Sequence, residues 1–286
     1  MVKVEMHEFY TDEELKKIQA CEMQIFKDFA KVCEENDLKY WGIGGTGIGA
    51  VRHKGYIPWD DDIDLAMPYD DYVKLNEIFM RDFKDKYTVV NGENFRDYPA
   101  MNEHILLNGT RFITNDAKHL KYPQGIFLDI FPHFKSSRDK TLRVKHGKSM
   151  WLWGKILILR QIPFPVIPFK GVKAKIVHCG TFVVSYLLKI IFPSGWLYKK
   201  NLKISLRYKD LDDYVYIFTS NSKYRDWYFE KDVSDHLQEY PFEDTVMYFP
   251  DNLDAYLKNT YGDYMKLPPA DKRKTHAPIL LEFPKE

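Results

Sequence analysis

A glycine-rich turn and a cluster of aspartates lie close together in the first quarter of this chain. The segment from position 40 to position 71 reads YWGIGGTGIGAVRHKGYIPWDDDIDLAMPYDD and contains six glycines. Four aspartates stand at positions 60, 61, 62 and 64. Backbone N–H groups of a glycine turn can approach phosphate oxygens closely, and clustered carboxylates attract divalent cations. The segment therefore indicates chemistry on a phosphorylated ligand.

Asp62 and Asp64 alternate with the apolar residues Ile63 and Leu65, which is the pattern of a half-buried strand. On a strand, the two carboxylates lie on one face and the apolar side chains lie on the other, toward a core. Two carboxylates a few ångströms apart repel each other by about 4 kcal/mol at an effective dielectric near 20. Because Mg²⁺ takes carboxylate and phosphate oxygens as ligands, the pair predicts a site for Mg²⁺ or Mn²⁺ together with a nucleotide.

The turn before the aspartates predicts a cradle for phosphate groups. Gly44 and Gly45 lead into a short helix, so their N–H groups would face the phosphate oxygens. Thr46 would add a hydroxyl group. Arg52 and Lys54 would steady the same anion with their positive charge.

Other sites with similar residues fit this segment less well. A dinucleotide-binding turn has the same glycine spacing, but Gly55 and Pro58 leave no room for the full helix that must follow it. A calcium loop needs glycine at its sixth position, where Leu65 stands. A P-loop needs Gly-Lys-Ser/Thr after the glycines, and this triplet is absent. A solvated surface loop would not explain aspartates that alternate in register with apolar residues.

The surrounding sequence alternates between helical and strand patterns. Thr11 and Glu14 form a capping box, and the apolar spacing after them predicts a helix over residues 12–35. Strands are predicted at 38–43, 62–67, 87–91, 103–107, 110–114 and 125–131, and further helices at 46–53, from about residue 70, and at about 251–262.

Charge is distributed unevenly along the chain, although the total is only +1. The block from Lys135 to Lys209 carries 17 basic residues and one acid, Asp139. Its apolar segments WLWGKILILRQIPFPVIPF and TFVVSYLLKIIFPSGWLY are interrupted by prolines and lysines, so we expect neither to span a membrane. We expect either a peripheral contact with an anionic membrane or a helical subdomain with a solvated basic face. No nucleic-acid-binding motif accompanies the block, so no nucleic acid partner is expected.

The cysteines at positions 21, 33 and 179 form no C-x-x-C pair and no disulfide framework. They and the nine histidines show no ligand spacing, so zinc is not expected. The first residues, MVKVEMHEFYTDEEL, show no signal-peptide pattern. We therefore expect a cytoplasmic protein, with a peripheral position on the inner face of the cell membrane as an alternative.

Three segments resemble the LicD family, a branch of the nucleotidyltransferase superfamily related to fukutin and to bacterial phosphocholine transferases. They are GGTGIGAVRHKGYIPWDDDIDLAM, GIFLDIFP and YGDYMKLPPADKRKTH. The resemblance implies an α+β fold with a nucleotidyltransferase-like mixed sheet, flanking helices and a basic, apolar helical insertion. Residues 1–134 would form the catalytic core, 135–209 the basic segment, and 210–286 the part that completes the catalytic domain.

The resemblance also implies a third carboxylate from a later strand, and Asp129 in FLDIF matches that place. Asp62, Asp64 and Asp129 would hold the metal, or Asp129 would accept a proton from the acceptor. An acid on an edge strand is the alternative for Asp129. Trp59 would stack on the cytosine or on the donor head group, unless it simply packs. His276 matches a family position, with a structural role as the alternative.

Members of this family move a phospho-alcohol group, such as phosphocholine, from a CDP-activated donor to a hydroxyl of a cell-surface glycan. The resemblance implies the same reaction here, with release of CMP. The acceptor would be a glycan or a teichoic-acid precursor, free or lipid-linked. Two alternatives are a nucleotidyltransferase that attaches a nucleoside monophosphate and a non-catalytic nucleotide-binding module.

Overall fold

The computed structural model describes residues 10–165, 167, 169–219, 224–269, 273 and 275–284. The helices are α1 (Asp12–Glu35), α2 (Gly44–His53), α3 (Tyr69–Asp82), α4 (Lys140–Gln161), α5 (Gly171–Ile191), α6 (Trp196–Ser205) and α7 (Leu253–Tyr261). The strands are β1 (Trp41–Gly42), β2 (Asp64–Pro68), β3 (Tyr87–Val90), β4 (Glu103–Leu107), β5 (Arg111–Ile113), β6 (Phe127–Ser137), β7 (Tyr214–Ile217), β8 (Phe229–Glu230), β9 (Leu237–Phe242), β10 (Thr245–Pro250) and β11 (Leu280–Glu282).

A mixed seven-stranded sheet forms the centre of the molecule. Its strands follow the order β1-β2-β6-β4-β3, with β7 also paired to β6 and β8 paired to β7. Only β2 and β6 run parallel within this sheet, and their register places Asp64 opposite Asp129. β9 with β10 and β5 with β11 form two smaller antiparallel sheets. Together with the helices, this arrangement confirms the predicted α+β class.

The two faces of the β2–β6 pair differ in polarity because their side chains alternate. Leu65 and Ile130 are fully buried in the main core. Asp64 and Asp129 point to the opposite face, since successive side chains on a strand alternate. Fully burying an apolar side chain of this size contributes about 1.5–3 kcal/mol. A slip of one residue in either strand would expose core residues and also disperse the carboxylates.

Most predicted elements are present, with shifted ends. α1 matches its predicted range and has the capping box between Thr11 and Glu14. The predicted strand at 62–67 begins at Asp64, so Asp62 lies just before it. The predicted strand at 125–131 continues to Ser137, because β7 pairs with its second half. Of the predicted strand at 38–43, only Trp41 and Gly42 form a strand, which is β1.

The basic block forms α4, α5 and α6, and α4 packs against both other helices. Ser185 is the one buried residue of α5, and its hydroxyl donates to the Arg160 carbonyl oxygen at 3.0 Å. Large apolar side chains of α5, including Ile176 and Ile190, are exposed to solvent. α5 therefore packs against the rest of the molecule through only a small part of its surface.

α5 is the one helix among the described residues that is long and apolar enough to cross a membrane, by length and composition alone. Only 6% of its apolar stretch is buried. The prediction that neither apolar segment spans a membrane stays a prediction, although the interruptions on which it rests do not keep α5 below the necessary length. The helix begins at Gly171, well before the predicted segment, and Lys189 does not interrupt it.

Gly49 in α2 packs against the loop that leads to the aspartates. A Cβ atom there would lie 2.3 Å from the Gly55 carbonyl oxygen and 3.2 Å from the Ile57 nitrogen. We expect Gly49→Ala to lower the free energy of unfolding by about 2 kcal/mol or more, because backbone atoms cannot move aside. Denaturant titration measures this loss. Gly180→Ala in α5, where nothing lies within 4 Å, is the control and should be neutral or stabilising by up to about 1 kcal/mol. Equal effects of both changes would show that the loop does not restrict the side chain at position 49.

Candidate active site

Three acidic side chains meet where β2 and β6 run side by side. Asp64 begins β2, Asp62 lies two residues earlier, and Asp129 is the register partner of Asp64 in β6. Burial raises the pKa of Asp64 well above its usual range, and the charges of Asp62 and Asp129 raise it further. The side chains of Asp62 and Asp129 remain 24% and 14% exposed. The structure thus places the three predicted carboxylates together in a site that solvent can reach, while their role stays a prediction.

Neighbouring acids raise the electrostatic cost of this cluster. Burial, followed by the charges of Asp62 and Asp61, raises the pKa of Asp60 to about 8. Burial also raises the pKa of Asp62, and raises that of Asp129 well above its ordinary value. Within the described part of the chain, no lysine or arginine pairs with any of these carboxylates. A divalent cation would relieve their mutual repulsion.

Asp129 is held in place by two neighbours on and beside β4. The Asn102 side-chain amide donates to Asp129 Oδ1 at 2.6 Å. His104 Nε2 lies 3.8 Å from Asp129 Oδ2, and the His104 ring stacks on Phe127 with centroids 4.0 Å apart. Burial lowers the pKa of His104 to about 3, so its imidazole is neutral. Because β6 lies between β2 and β4, the alternative of an edge-strand acid is excluded.

The glycine turn packs directly against the acids. Gly44 has a φ of +61°, and a Cβ there would lie 2.8 Å from Asp64 Oδ2. A Cβ on Gly45 would lie 2.8 Å from Asp60 Oδ2. The turn therefore requires glycine both for its left-handed conformation and for its closeness to the carboxylates. The positive end of the α2 dipole consequently faces the acidic cluster.

Thr46 and Trp59, both predicted to contact the ligand, each contact another part of the protein. The Thr46 hydroxyl accepts a hydrogen bond from the Asp64 backbone N–H at 2.8 Å, which fixes the start of β2. The Trp59 ring lies 4.4 Å from the Arg273 guanidinium. These contacts give Thr46 a role in positioning Asp64 and favour the packing alternative for Trp59.

Arg52 and Lys54 lie at the far end of α2 from the glycine turn. Arg52 donates through Nη1 to the Tyr264 carbonyl oxygen at 2.6 Å, and Lys54 terminates the helix with a φ of +61°. At 1.5 Å per residue, Arg52 is about 12 Å along the helix from Gly44. α2 therefore places these two cations at the opposite end of the helix from the glycine turn. That they steady a phosphate stays a prediction, which this separation does not favour.

His276 reaches the acidic cluster through Asp61, which sequence patterns did not single out. The backbone N–H of His276 donates to Asp61 Oδ2 at 3.1 Å, and its Nδ1 lies 3.1 Å from Asp61 Oδ1. The Tyr10 hydroxyl donates to the same carboxylate, which is 2% exposed. The hydrogen bond to Asp61 raises the pKa of His276 to about 9, so the ring is protonated at neutral pH. Asp61 thus anchors the C-terminal segment beside Asp62.

Among the described residues, one group has the close spacing of a metal site. Asp61, Asp62 and His276 each place one ligand atom within 4.8 Å of the others. Asp61 already accepts several hydrogen bonds, which a metal ion would have to replace. The predicted ligands Asp62, Asp64 and Asp129 do not share this close spacing. That these three carboxylates hold a divalent cation stays a prediction.

Glu22 is a further acid near the site that sequence patterns did not reveal. It lies on α1, is 1% exposed, and has a pKa raised well above its usual value by burial and by the charges of Asp62 and Asp61. The sequence pattern could have revealed it, because Glu22 is an acid on the apolar face of the amphipathic helix α1. Asn102 carried no such signal, because its role depends on the pairing of β4 with β6.

Two cavities flank the carboxylates. The aromatic cavity, about 320 Å³ in volume, begins at Gly44 and Asp64 and is walled mainly by aromatic rings. The Asp129 cavity, about 130 Å³ in volume, is lined by Asp129 and by residues of α4 and α6. Phe131 and Phe218 pack edge to face with centroids 5.0 Å apart and line both cavities. Asp64 therefore lines one cavity and Asp129 the other.

The mixed sheet, the paired acids, the glycine turn and the two adjoining cavities are compatible with a transferase. Residues 37–176 match the family model described as LicD/FKTN/FKRP, nucleotidyltransferase domain. This segment, just under half of the chain, is a LicD family domain.

Similarity to characterised proteins supports a transferase. Lipopolysaccharide cholinephosphotransferase LicD of Haemophilus influenzae is 29% identical over 279 residues, covering 92% of this chain and 95% of that protein. An uncharacterized protein of Rickettsia prowazekii is 34% identical over 110 residues, 37% of this chain and 41% of its own length. Human ribitol 5-phosphate transferase FKRP is 45% identical over 40 residues, 14% of this chain and 8% of that protein.

The acidic cluster predicts opposite effects of one substitution on stability and on metal binding. Asp64→Asn should raise the melting temperature of the metal-free protein, because it removes a charge that repels Asp62 and Asp129. Mg²⁺ should raise the melting temperature of the wild type and leave that of the variant unchanged. Scanning fluorimetry with and without millimolar Mg²⁺ measures both effects.

The control for this experiment is Asp254→Asn, which changes an exposed acid of α7 paired with Lys258. This variant should respond to Mg²⁺ like the wild type. If Asp64→Asn also keeps the full response, Asp64 does not hold the cation.

Proposed function

We propose that the protein transfers a phospho-alcohol group, such as phosphocholine, from a CDP-activated donor to a hydroxyl of a cell-surface glycan or teichoic-acid precursor, with release of CMP. The observation that carries this proposal is the pairing of Asp64 with Asp129 across parallel strands, beside Asp62 and the glycine turn. The Haemophilus relative, whose name gives phosphocholine as the transferred group and lipopolysaccharide as the acceptor, supports the substrate class.

Each part of the site has a role in this reaction. A divalent cation such as Mg²⁺ or Mn²⁺, held by Asp62, Asp64 and Asp129, would neutralise charge on the donor phosphates. Gly44 and Gly45 bring the start of α2 close to the acids, so a diphosphate bound beside the acids would lie near the N–H groups of that helix end. His276 adds a positive charge on the side of Asp62.

The bond changes follow from this arrangement. The acceptor oxygen bonds to the phosphorus that carries the alcohol, and the bond from that phosphorus to the bridging oxygen of CMP breaks. The acceptor hydroxyl loses its proton to Asp129, unless Asp129 is occupied as a metal ligand. Asn102 holds the Asp129 carboxylate in a fixed orientation for either role.

We further propose that residues 1–134 and 210–286 form one catalytic domain and that residues 135–209 are inserted into it, with positions 135–137 still forming the end of β6. β6 precedes the helices α4, α5 and α6 and β7 follows them, yet these two strands are neighbours in one sheet. The insertion therefore leaves the sheet continuous. The Asp129 cavity is lined by Trp151 and Lys155 of α4, so the inserted segment contributes to the acceptor side.

The reaction is tested by incubating the protein with CDP-choline, CDP-ribitol or CDP-glycerol and a glycan acceptor. We expect CMP release that depends on Mg²⁺ and a loss of about 100-fold or more in kcat for Asp62→Asn and for Asp64→Asn, because each removes a charge that binds the cation. Asp254→Asn should keep wild-type turnover. Chromatography of the nucleotide products measures CMP directly.

Other products would identify the alternatives. Attachment of a nucleoside monophosphate to the acceptor would show a nucleotidyltransferase, and no turnover with any donor would favour a non-catalytic module. Full turnover by both asparagine variants would overturn the metal assignment.

We also propose that α5 contacts a membrane that carries a lipid-linked acceptor, on the cytoplasmic side. An apolar helix of a soluble core would be buried, whereas α5 exposes side chains such as Ile176, Leu187 and Ile190. The basic residues of the inserted segment, such as Lys199 and Lys200, complement anionic lipid head groups. The packing of α4 on α5 connects this surface to the Asp129 cavity.

Flotation with anionic liposomes tests the membrane contact. The wild type should float with the vesicles, and the double change Ile176→Asp with Ile190→Asp should abolish flotation, because two charges would enter the apolar layer. Val246→Asp, on exposed β10, is the control and should float. A wild type that stays unbound at low salt would refute the contact, and binding unaffected by added salt would refute its electrostatic part.

A further inference from the structure

We propose that the aromatic cavity binds the quaternary ammonium group of the donor and so selects choline over other alcohols. This proposal rests on the proposed function and specifies the substrate of the same site.

The walls of the aromatic cavity come from three parts of the fold. Phe131 of β6 and Phe218, just after β7, form the inner wall. Tyr256 of α7 lies between Phe229, at a centroid distance of 5.4 Å, and Trp227, at 6.2 Å. The cavity therefore presents ring faces and edges from several directions to whatever occupies it.

A trimethylammonium group matches such walls. It is a cation without N–H donors, so ring faces attract it through their negative quadrupole and no acceptor is left unpaired. A primary ammonium or a polyol carries donors that need acceptors. The Tyr256 hydroxyl already accepts the Gly44 N–H at 3.3 Å. The rings that form most of the wall therefore suit choline better than ethanolamine, glycerol or ribitol. The acceptors open to those alternatives are the Asp64 carboxylate and the hydroxyl groups of Tyr228, Thr260 and Tyr261.

The charges around the aromatic cavity are compatible with a cation. Among the described residues that line this cavity, Asp64 is the one carboxylic acid and Arg225 is the one lysine or arginine. Arg225 is exposed, lies 5.0 Å from the Trp227 ring centroid and donates to the Thr260 carbonyl oxygen at 3.0 Å. His133 is buried and neutral, because burial lowers its pKa to about 4. The inner wall therefore adds no positive charge that would repel the ligand.

The position of the cavity agrees with the chemistry. Asp64 and Gly44 line its inner end, and the same residues belong to the acid cluster and to the glycine turn. A donor whose phosphates lie at the turn would place its head group a short distance away, inside the ring-lined space. The Asp129 cavity, on the other side of Phe131 and Phe218, stays open for the acceptor.

Calorimetric binding of CDP-choline, CDP-ethanolamine and CMP to the full chain in Mg²⁺ tests this assignment. The wild type should bind CDP-choline roughly tenfold tighter than CDP-ethanolamine. Tyr256→Leu and Trp227→Leu should reduce that ratio to about one, because each removes a ring. Tyr256→Phe keeps the ring and should keep the ratio. Trp227 is partly exposed, so its variant folds even if Tyr256→Leu does not.

Several results would overturn the proposal. Equal affinities of the wild type for the two donors would do so, as would no binding of CDP-choline. A common loss of affinity for both donors and CMP in the leucine variants would show that the cavity holds the cytosine base instead. Binding is measured without acceptor, so a protein that prefers CDP-choline but releases no CMP would refute the proposed reaction and leave this assignment intact.

Discussion

The repulsion among partly buried carboxylates is the constraint on which the rest of the structure depends. Asp62, Asp64 and Asp129 are forced together because β2 and β6 are parallel neighbours in the middle of the sheet. Each carboxylate would be more stable in water, and burial raises their pKa values. The fold compensates with the dipole of α2, the protonated ring of His276 and the amide of Asn102. The apolar back of the same strands provides the burial that keeps the acids in place.

The surroundings of the acids divide the site into two sides. The glycine turn and the aromatic cavity lie on the side of Asp64, and the inserted helices lie on the side of Asp129. This division matches a reaction in which an activated donor and an acceptor approach one phosphorus from different directions. The rings of Phe131 and Phe218 separate the two spaces.

Sequence patterns predicted local structure well and long-range contacts poorly. The periodicity of α1 and the alternation around Asp64 depend on neighbouring residues, so both were visible in the sequence. Asp129 was visible as an acid in an apolar strand pattern, but its place beside Asp64 was inferred from family resemblance, because it depends on the pairing of two distant strands. The separation of Arg52 from the glycine turn depends on the length of α2, which the sequence pattern alone did not weigh. Asp61 was missed because its partners are Tyr10 and His276, which are distant in sequence.

The insertion between β6 and β7 has a wider consequence. Because these strands are hydrogen-bonded neighbours, the chain leaves and rejoins the sheet at adjacent points. A segment attached in this way can be lengthened, shortened or exchanged with little strain on the strands that carry the acids. Related chains can therefore carry a different helical segment at this point while the arrangement of the acids is inherited unchanged.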